Sequence, residues 1–339
     1  MKTLKSKAAS ALVMASLILC GCSSSQSSAA SNGSQISASA SSSAKSNTDQ
    51  ISSPVSSSSQ SETITLTDDL DRTVEFEKPQ RVAILIGSFA DEFANAGGED
   101  LIVAAPHDTF TQFDLDLKDA ADLGEVKNIA QETLIAAKPD LVIASAKNDS
   151  QKKMLEVLEN ANIPVLYYDV SSFDDYLRTL KAMTMITGDT EAYSKNGLDQ
   201  QKAIETIQNA KRSKTPKVLA IRETGKGVKA LGSQNSLLGQ MLADLKAENI
   251  AGEGGLDTLS MEEIQMQNPE AIFYVAQGKD QKTAEEMADQ LFASEAWKNL
   301  DAVKNGRVYV LDQKLYNLKP NAKWASALKD LETMLYPSK

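Results

Sequence analysis

The chain has 339 residues, a formal net charge of −11, two cysteines and one histidine. So acidic a chain is a poor partner for nucleic acid. Both cysteines fall within the first 22 residues, so the rest has no disulfide, thiolate metal site or cysteine nucleophile. The lone His107 excludes an all-protein site that needs two imidazoles.

Lys2, Lys5 and Lys7 precede an apolar run from Ala8 to Leu19, the charged and apolar regions of a secretory signal. Leu19-Cys20-Gly21-Cys22 reads as a lipobox with Cys22 as the lipidated residue, because the small Gly21 precedes it whereas the bulky Leu19 precedes Cys20. The apolar run is shorter than the ~20 residues of a membrane span. A diacylglyceryl group on Cys22 would supply the more than one acyl chain that stable anchoring takes. Residues 1–21 are thus expected to be a signal peptide, and 22–61 a tether of Ser, Ala, Gln, Asn and Gly with too little apolar surface to fold. The expected location is the outer face of the cell membrane, extracytoplasmic and lipid-anchored.

About 275 residues then remain to fold. Thr63–Thr67 and Thr73–Glu77 alternate around Asp68-Asp-Leu-Asp-Arg and predict a hairpin. Arg81–Ile86 is a continuous apolar run, a buried parallel strand, followed by a helix from Ala90 to Ala96. A strand over 100–105, a helix over 131–137, a strand over 141–145, a helix over 151–161 and a strand over 164–168 complete an α/β half over 62–172. Residues 173–213 hold no proline and no strand pattern, and predict a linking segment of one or two helices, the last running from about Glu191 to Arg212. The alternation restarts over 214–339. Strands are expected at 217–221, 271–275 and 307–311, and helices at 236–245, 261–266, 283–293 and 322–335. The fold class is α/β: two Rossmann-like lobes with mainly parallel sheets, joined by one long rigid helix, with a ligand cleft between them.

Three strings carry a resemblance. They are Thr67-Asp-Asp-Leu-Asp-Arg-Thr-Val-Glu-Phe with Pro79-Gln-Arg-Val, Glu132-Thr-Leu-Ile-Ala-Ala-Lys-Pro-Asp-Leu-Val-Ile, and Ala296-Trp-Lys-Asn-Leu-Asp-Ala-Val-Lys-Asn-Gly-Arg-Val-Tyr-Val-Leu. In this order across 62–339, they resemble the iron-siderophore, haem and cobalamin substrate-binding proteins of ABC importers. The resemblance implies a non-enzymatic, monomeric binding protein that delivers cargo to a permease dimer driven by a cytoplasmic ATPase. It implies no cofactor and no metal held directly by the protein, since the cargo, an iron(III) chelate, brings its own metal. It also implies limited lobe closure and two permease-docking glutamates, which fall on Glu92 and Glu262, with Asp91 and Glu263 as adjacent alternatives. From residue type alone both are surface acids that favour the positive ends of their helices.

Ligands of open α/β sheets sit beyond the carboxyl ends of the strands. On that rule the candidate ligand residues are Phe89 and His107 in the first lobe and Arg222, Lys226 and Tyr316 in the second, and the resemblance implies that the loop of Lys127 lies near the same rim. Arg222 and the lysines are cations in an acidic protein and suit an anionic ferric siderophore or haem propionates. Haem-binding relatives tend to use a first-lobe methionine and a second-lobe histidine. Here there is no second-lobe histidine, and Lys127 falls where the methionine would stand. The expectation is therefore a ferric siderophore, with haem or cobalamin as the alternative cargo. A surface adhesin or a hydrolase stands further off: no Gly-x-Ser-x-Gly string occurs, and a single histidine leaves little for a nucleophile–base pair.

Overall fold

The computed structural model describes residues 63–337 apart from 114 and 257–259. The expected signal peptide, Cys22 and the tether lie outside the described residues. Strands β1 (Thr63–Thr67) and β2 (Thr73–Glu77) pair antiparallel in the register Thr63↔Glu77 to Thr67↔Thr73. Period-2 alternation turns Ile64, Leu66 and Phe76 into the core and the threonines outward. Asp68 closes the turn: its carboxylate accepts from the amides of Leu70 (3.0 Å) and Arg72 (3.1 Å) and from Arg72 Nη2 (2.5 Å).

The first half continues with β3 (Val82–Ile84), α1 (Gly87–Asn95), β4 (Ile102–Ala105), α2 (His107–Gln112), β5 (Ala121–Asp122), α3 (Gln131–Ala136), β6 (Leu141–Ser145), α4 (Asp149–Lys152), α5 (Leu155–Asn160) and β7 (Val165–Tyr168). Its five strands are all parallel, in the order β5-β4-β3-β6-β7. Helices cover such sheets on both faces, which is why β3, β6 and β7 are nearly continuous buried apolar runs. Two expectations shift in detail. The stretch before β4 is a 3-10 turn over Glu99–Leu101, and the helix expected at 151–161 is two short pieces.

The linking segment is not one long helix. Helix α6 (Phe173–Thr187) starts from a reciprocal cap between Ser172 and Asp175 and ends at Gly188, whose φ of 84° is left-handed. A second helical run follows, α7 (Thr190–Tyr193), a π-helical turn over Ser194–Leu198 and α8 (Asp199–Gln208). The π turn falls at Gly197, where a Cβ would meet Leu177 Cδ1 at 2.8 Å.

The second half holds β8 (Lys217–Thr224), β9 (Gly227–Ala230), α9 (Leu237–Asp244), β10 (Glu248–Asn249), α10 (Met261–Gln267), β11 (Ala271–Ala276), α11 (Gln281–Ala293), α12 (Asp301–Lys304), β12 (Val308–Val310), α13 (Gln313–Tyr316) and α14 (Trp324–Leu335). The parallel order is β10-β8-β11-β12, and β9 folds back antiparallel on β8. One apolar core runs through both halves: Val82, Phe93, Tyr176, Val218, Phe273, Trp324 and Leu328 belong to the same buried cluster. At the seam Trp324 packs 5.6 Å from Phe173 and 6.0 Å from Tyr176, ring centroid to centroid. A shared apolar seam of this kind resists wide hinge opening.

Candidate ligand cleft and docking face

In each sheet the chain order reverses beside the first parallel strand, between β3 and β6 and between β8 and β11. A crevice opens at the carboxyl end of such a switch point. Gly87 stands at the first one because a Cβ there would lie 2.8 Å from the Phe113 ring and 2.9 Å from Asp108. The halves meet directly through side chains. Asn321 Nδ2 donates to Ser88 O (2.9 Å) and Asp91 Oδ2 (2.6 Å), and Gln313 Nε2 donates to Gln112 Oε1 (3.1 Å). The Gln313 amide is held in that orientation from its own half, where its Oε1 accepts from the Gly278 amide (2.6 Å) and its Nε2 also reaches Lys279 O (2.9 Å).

Arg222, on β8 between Lys229 of β9 and Val275 of β11, is partly buried. Its Nη1 donates to Asn317 Oδ1 (3.0 Å), while its Nε is buried with no partner. A buried guanidinium N–H without an acceptor is costly, and the Nε atoms of Arg212 and Arg307 are buried without a partner as well. Glu223, the neighbour of Arg222, accepts from Tyr274 OH (2.5 Å). Lys226 is exposed at the tip of the β8–β9 turn, and Lys127 is exposed in the loop before α3.

His107 starts α2 with its side chain 54% exposed, and its Nδ1 lies 2.7 Å from Asp122 Oδ2. That hydrogen bond raises the imidazole pKa above its ordinary value and lowers that of Asp122. Asp122 Oδ1 is held by the Gly124 amide (2.8 Å), so the carboxylate fixes the ring and leaves Nε2 outward.

Two expected ligand residues are core instead. Phe89 is 3% exposed and packs within the shared cluster, and Tyr316 is 4% exposed with its hydroxyl donating to Ala327 O (3.0 Å). Phe89 lies in the first turn of α1 and Tyr316 at the end of α13, and packing turns each ring away from solvent. The sequence places Lys147 on a cleft loop of the first lobe but does not single out Lys319. Lys147, at the end of β6, pairs with Asp169 at 2.9 Å. Lys319 is partly buried and burial lowers its ammonium pKa, with Asp169, Lys147, Asp175 and Glu92 as the charges around it.

Glu92 requires the larger correction. It lies on the buried face of α1 with zero exposure, hydrogen-bonded to the Thr179 hydroxyl of α6, and its Oε2 has no partner. Burial holds its pKa well above the ordinary value. A fully enclosed carboxyl cannot meet an arginine on another protein. Glu262, by contrast, is exposed in the first turn of α10, where the Ser260 hydroxyl accepts from the Glu263 amide (3.3 Å).

The counterpart of Glu262 in the first half is Glu132, exposed in the first turn of α3. Both helices end in a left-handed residue, Lys138 (φ 49°) and Asn268 (φ 43°). Each is followed by a buried proline, Pro139 or Pro269, and an acid that anchors the start of the sheet. Asp140 accepts from the amides of Gln80 (2.8 Å) and Arg81 (2.9 Å), and Glu270 from that of Lys217 (3.3 Å). The chain then enters β6 or β11, each beside the first parallel strand of its sheet.

A family model described as Periplasmic binding protein matches residues 82–315, and the chain belongs to that family, whose members are substrate-binding components of ABC importers and not enzymes. The vitamin B12-binding protein of Pectobacterium atrosepticum is 27% identical over 215 residues, spanning 61% of this chain and 75% of that protein. The Fe(3+)-citrate-binding protein YfmC of Bacillus subtilis is 25% identical over 315 residues, spanning 90% of this chain and 88% of that protein. A solved periplasmic solute binding protein from Veillonella parvula has the same fold, with a TM-score of 0.67 at 21% identity over 81% of this chain and 87% of its own. Among the described residues no helix is long and apolar enough to cross a membrane.

Proposed function

We propose that this chain is a lipid-anchored, extracytoplasmic binding protein that captures a ferric-siderophore complex between its halves and delivers it to an ABC permease dimer. The observation that carries the cargo class is the partly buried Arg222 with an unpartnered Nε at a switch point, in a chain of net charge −11. An anionic chelate supplies the acceptors that this guanidinium lacks. Lys127 and Lys226, exposed on loops of either half, would add longer-range attraction. Glu132 and Glu262 are the docking pair: two separated exposed carboxylates in matching first turns, suited to setting register against arginines of a two-fold permease.

The haem reading draws on a different observation, the imidazole of His107 held by Asp122 with Nε2 outward, an arrangement that suits an axial iron ligand. A titration of residues 59–339, which form one compact unit, against a ferric catecholate, a ferric hydroxamate, hemin and cobalamin separates these readings. Saturable binding of a ferric chelate is expected. Binding of hemin alone, with a Soret shift lost in His107→Ala, would replace the siderophore reading.

A further inference from the structure

We propose that Met266, on α10, is the apolar anchor by which the chain docks on its permease, seated in an apolar socket of that protein beside the arginine that receives Glu262. This inference rests on the docking reading of Glu132 and Glu262 and adds to it a contact that excludes water. Met266 is 79% exposed, against 36–52% for the other large apolar residues exposed among the described residues. A single exposed apolar side chain is ordinary on a protein surface. This one stands at a place that both halves mark. In each, the first-turn acid is followed four residues later by an exposed apolar residue, Glu132 by Ala136 and Glu262 by Met266, and three residues after that by the buried proline. The second half fills the position with a long, adaptable side chain of the kind that interfaces favour.

Helix α10 turns Ile264, 4% exposed, into the second half, where it shares a buried cluster with Ile272, Phe292 and Trp297. Glu262, Gln265 and Met266 are exposed and stand at i, i+3 and i+4, on one side of the helix. Four residues rise about 6 Å along a helix. Helical side chains lean toward the helix N-terminus, so the Met266 thioether lies over the turn that carries Glu262. The helix is held from behind. Gln265 Nε2 donates to Ala296 O (3.2 Å), Asn268 Nδ2 donates to Asp301 Oδ2 (2.8 Å), and the Asp301 amide donates to Asn268 Oδ1 (3.0 Å). Residues 257–259 adjoin the other end of α10. A face fixed in this way loses little freedom on docking. The acids beside Met266 select its partner. An anionic lipid surface attracts basic segments and repels this one. A second copy in a two-fold contact through α10 would set Glu262 and Glu263 against their own counterparts. An apolar socket next to an arginine matches both the thioether and the carboxylate.

Residues 59–339 hold no cysteine, so Gln265→Cys places a single thiol beside an intact Met266. A benzophenone maleimide on that thiol, photolysed with membrane vesicles from cells that make the chain, is expected to give an adduct with an ABC permease subunit, identified by mass spectrometry. Unlabelled wild type and Met266→Leu should compete that adduct away equally, and Met266→Ala about tenfold less effectively, at an unchanged Tm. Adducts only with lipid or with a second copy, no permease adduct, or Met266→Ala competing as well as wild type would overturn the inference. If Met266→Ala competes as well as wild type while Glu132→Ala with Glu262→Ala does not, the docking pair stands without the anchor. A double variant that competes as well as wild type removes the docking pair itself, and the anchor with it.

Discussion

Glu92 gives the sharpest stability prediction. Its carboxyl is fully enclosed, its pKa is raised chiefly by burial, and Thr179 is its hydrogen-bond partner. When Glu92 is protonated, its acid proton can go to Thr179 Oγ1. The hydroxyl is then free to donate to Asp175 O or Tyr176 O, each 3.1 Å away. The unfolded chain titrates this group near 4.5, whereas the folded chain holds its proton to higher pH. A raised folded pKa favours the folded state fully below the unfolded value, and that advantage is lost as pH climbs through the window between the two. Within that window the group costs about 1.4 kcal/mol of stability per pH unit. Glu92→Gln keeps the shape and the donor but cannot ionise, so the slope should vanish. Urea unfolding from pH 4 to 8 should show the two proteins close at low pH and the variant progressively more stable as pH rises. Parallel curves, or a variant several kcal/mol weaker at neutral pH, would refute the assignment of a buried acid with a raised pKa.

Glu132→Ala with Glu262→Ala should impair uptake of cargo in whole cells while calorimetry finds chelate affinity unchanged; uptake equal to wild type would remove the pair from the docking face. Arg222→Ala should weaken an anionic chelate by about 1.5–3 kcal/mol, the range for a charged hydrogen bond, and leave a neutral cobalamin unaffected. Trp324→Ala, which empties the seam beside Phe173 and Tyr176, should cost about 3–5 kcal/mol in urea unfolding; a loss under 1 kcal/mol would mean that the seam contributes little.

The sheets were legible because buried parallel strands are short apolar runs, as in Val82–Ile84, Leu141–Ser145 and Ala271–Ala276. The second linking helix was expected from about Glu191 and starts at Thr190, whereas the left-handed cap at Gly188 was not legible, because a glycine inside a helical pattern marks either a tolerated residue or a cap and only the backbone distinguishes them. The burial of Glu92 had a signal: Phe89, Glu92, Phe93 and Ala96 form one stripe at helical spacing, which places the acid on the apolar face. Glu132 had one too, in the match of Glu132-Thr-Leu-Ile-Ala-Ala-Lys-Pro-Asp to Glu262-Glu-Ile-Gln-Met-Gln-Asn-Pro-Glu. Lys319 had none. The charges around it come from Glu92, Lys147, Asp169 and Asp175, all more than a hundred residues earlier, and no local pattern encodes that meeting. Topology suggested Phe89 and Tyr316 as ligand residues, but which way a ring turns is decided by packing against partners such as α14.

The central claim is that a ferric chelate sits between the halves at the two switch points. The most direct measurement is a crystal structure with the chelate bound, with data collected at the iron edge. The account predicts one anomalous peak between the carboxyl ends of β3/β6 and β8/β11, with a chelate oxygen within hydrogen-bond distance of Arg222 Nε. An iron peak elsewhere on the surface, or a chelate that leaves Arg222 untouched, would contradict it.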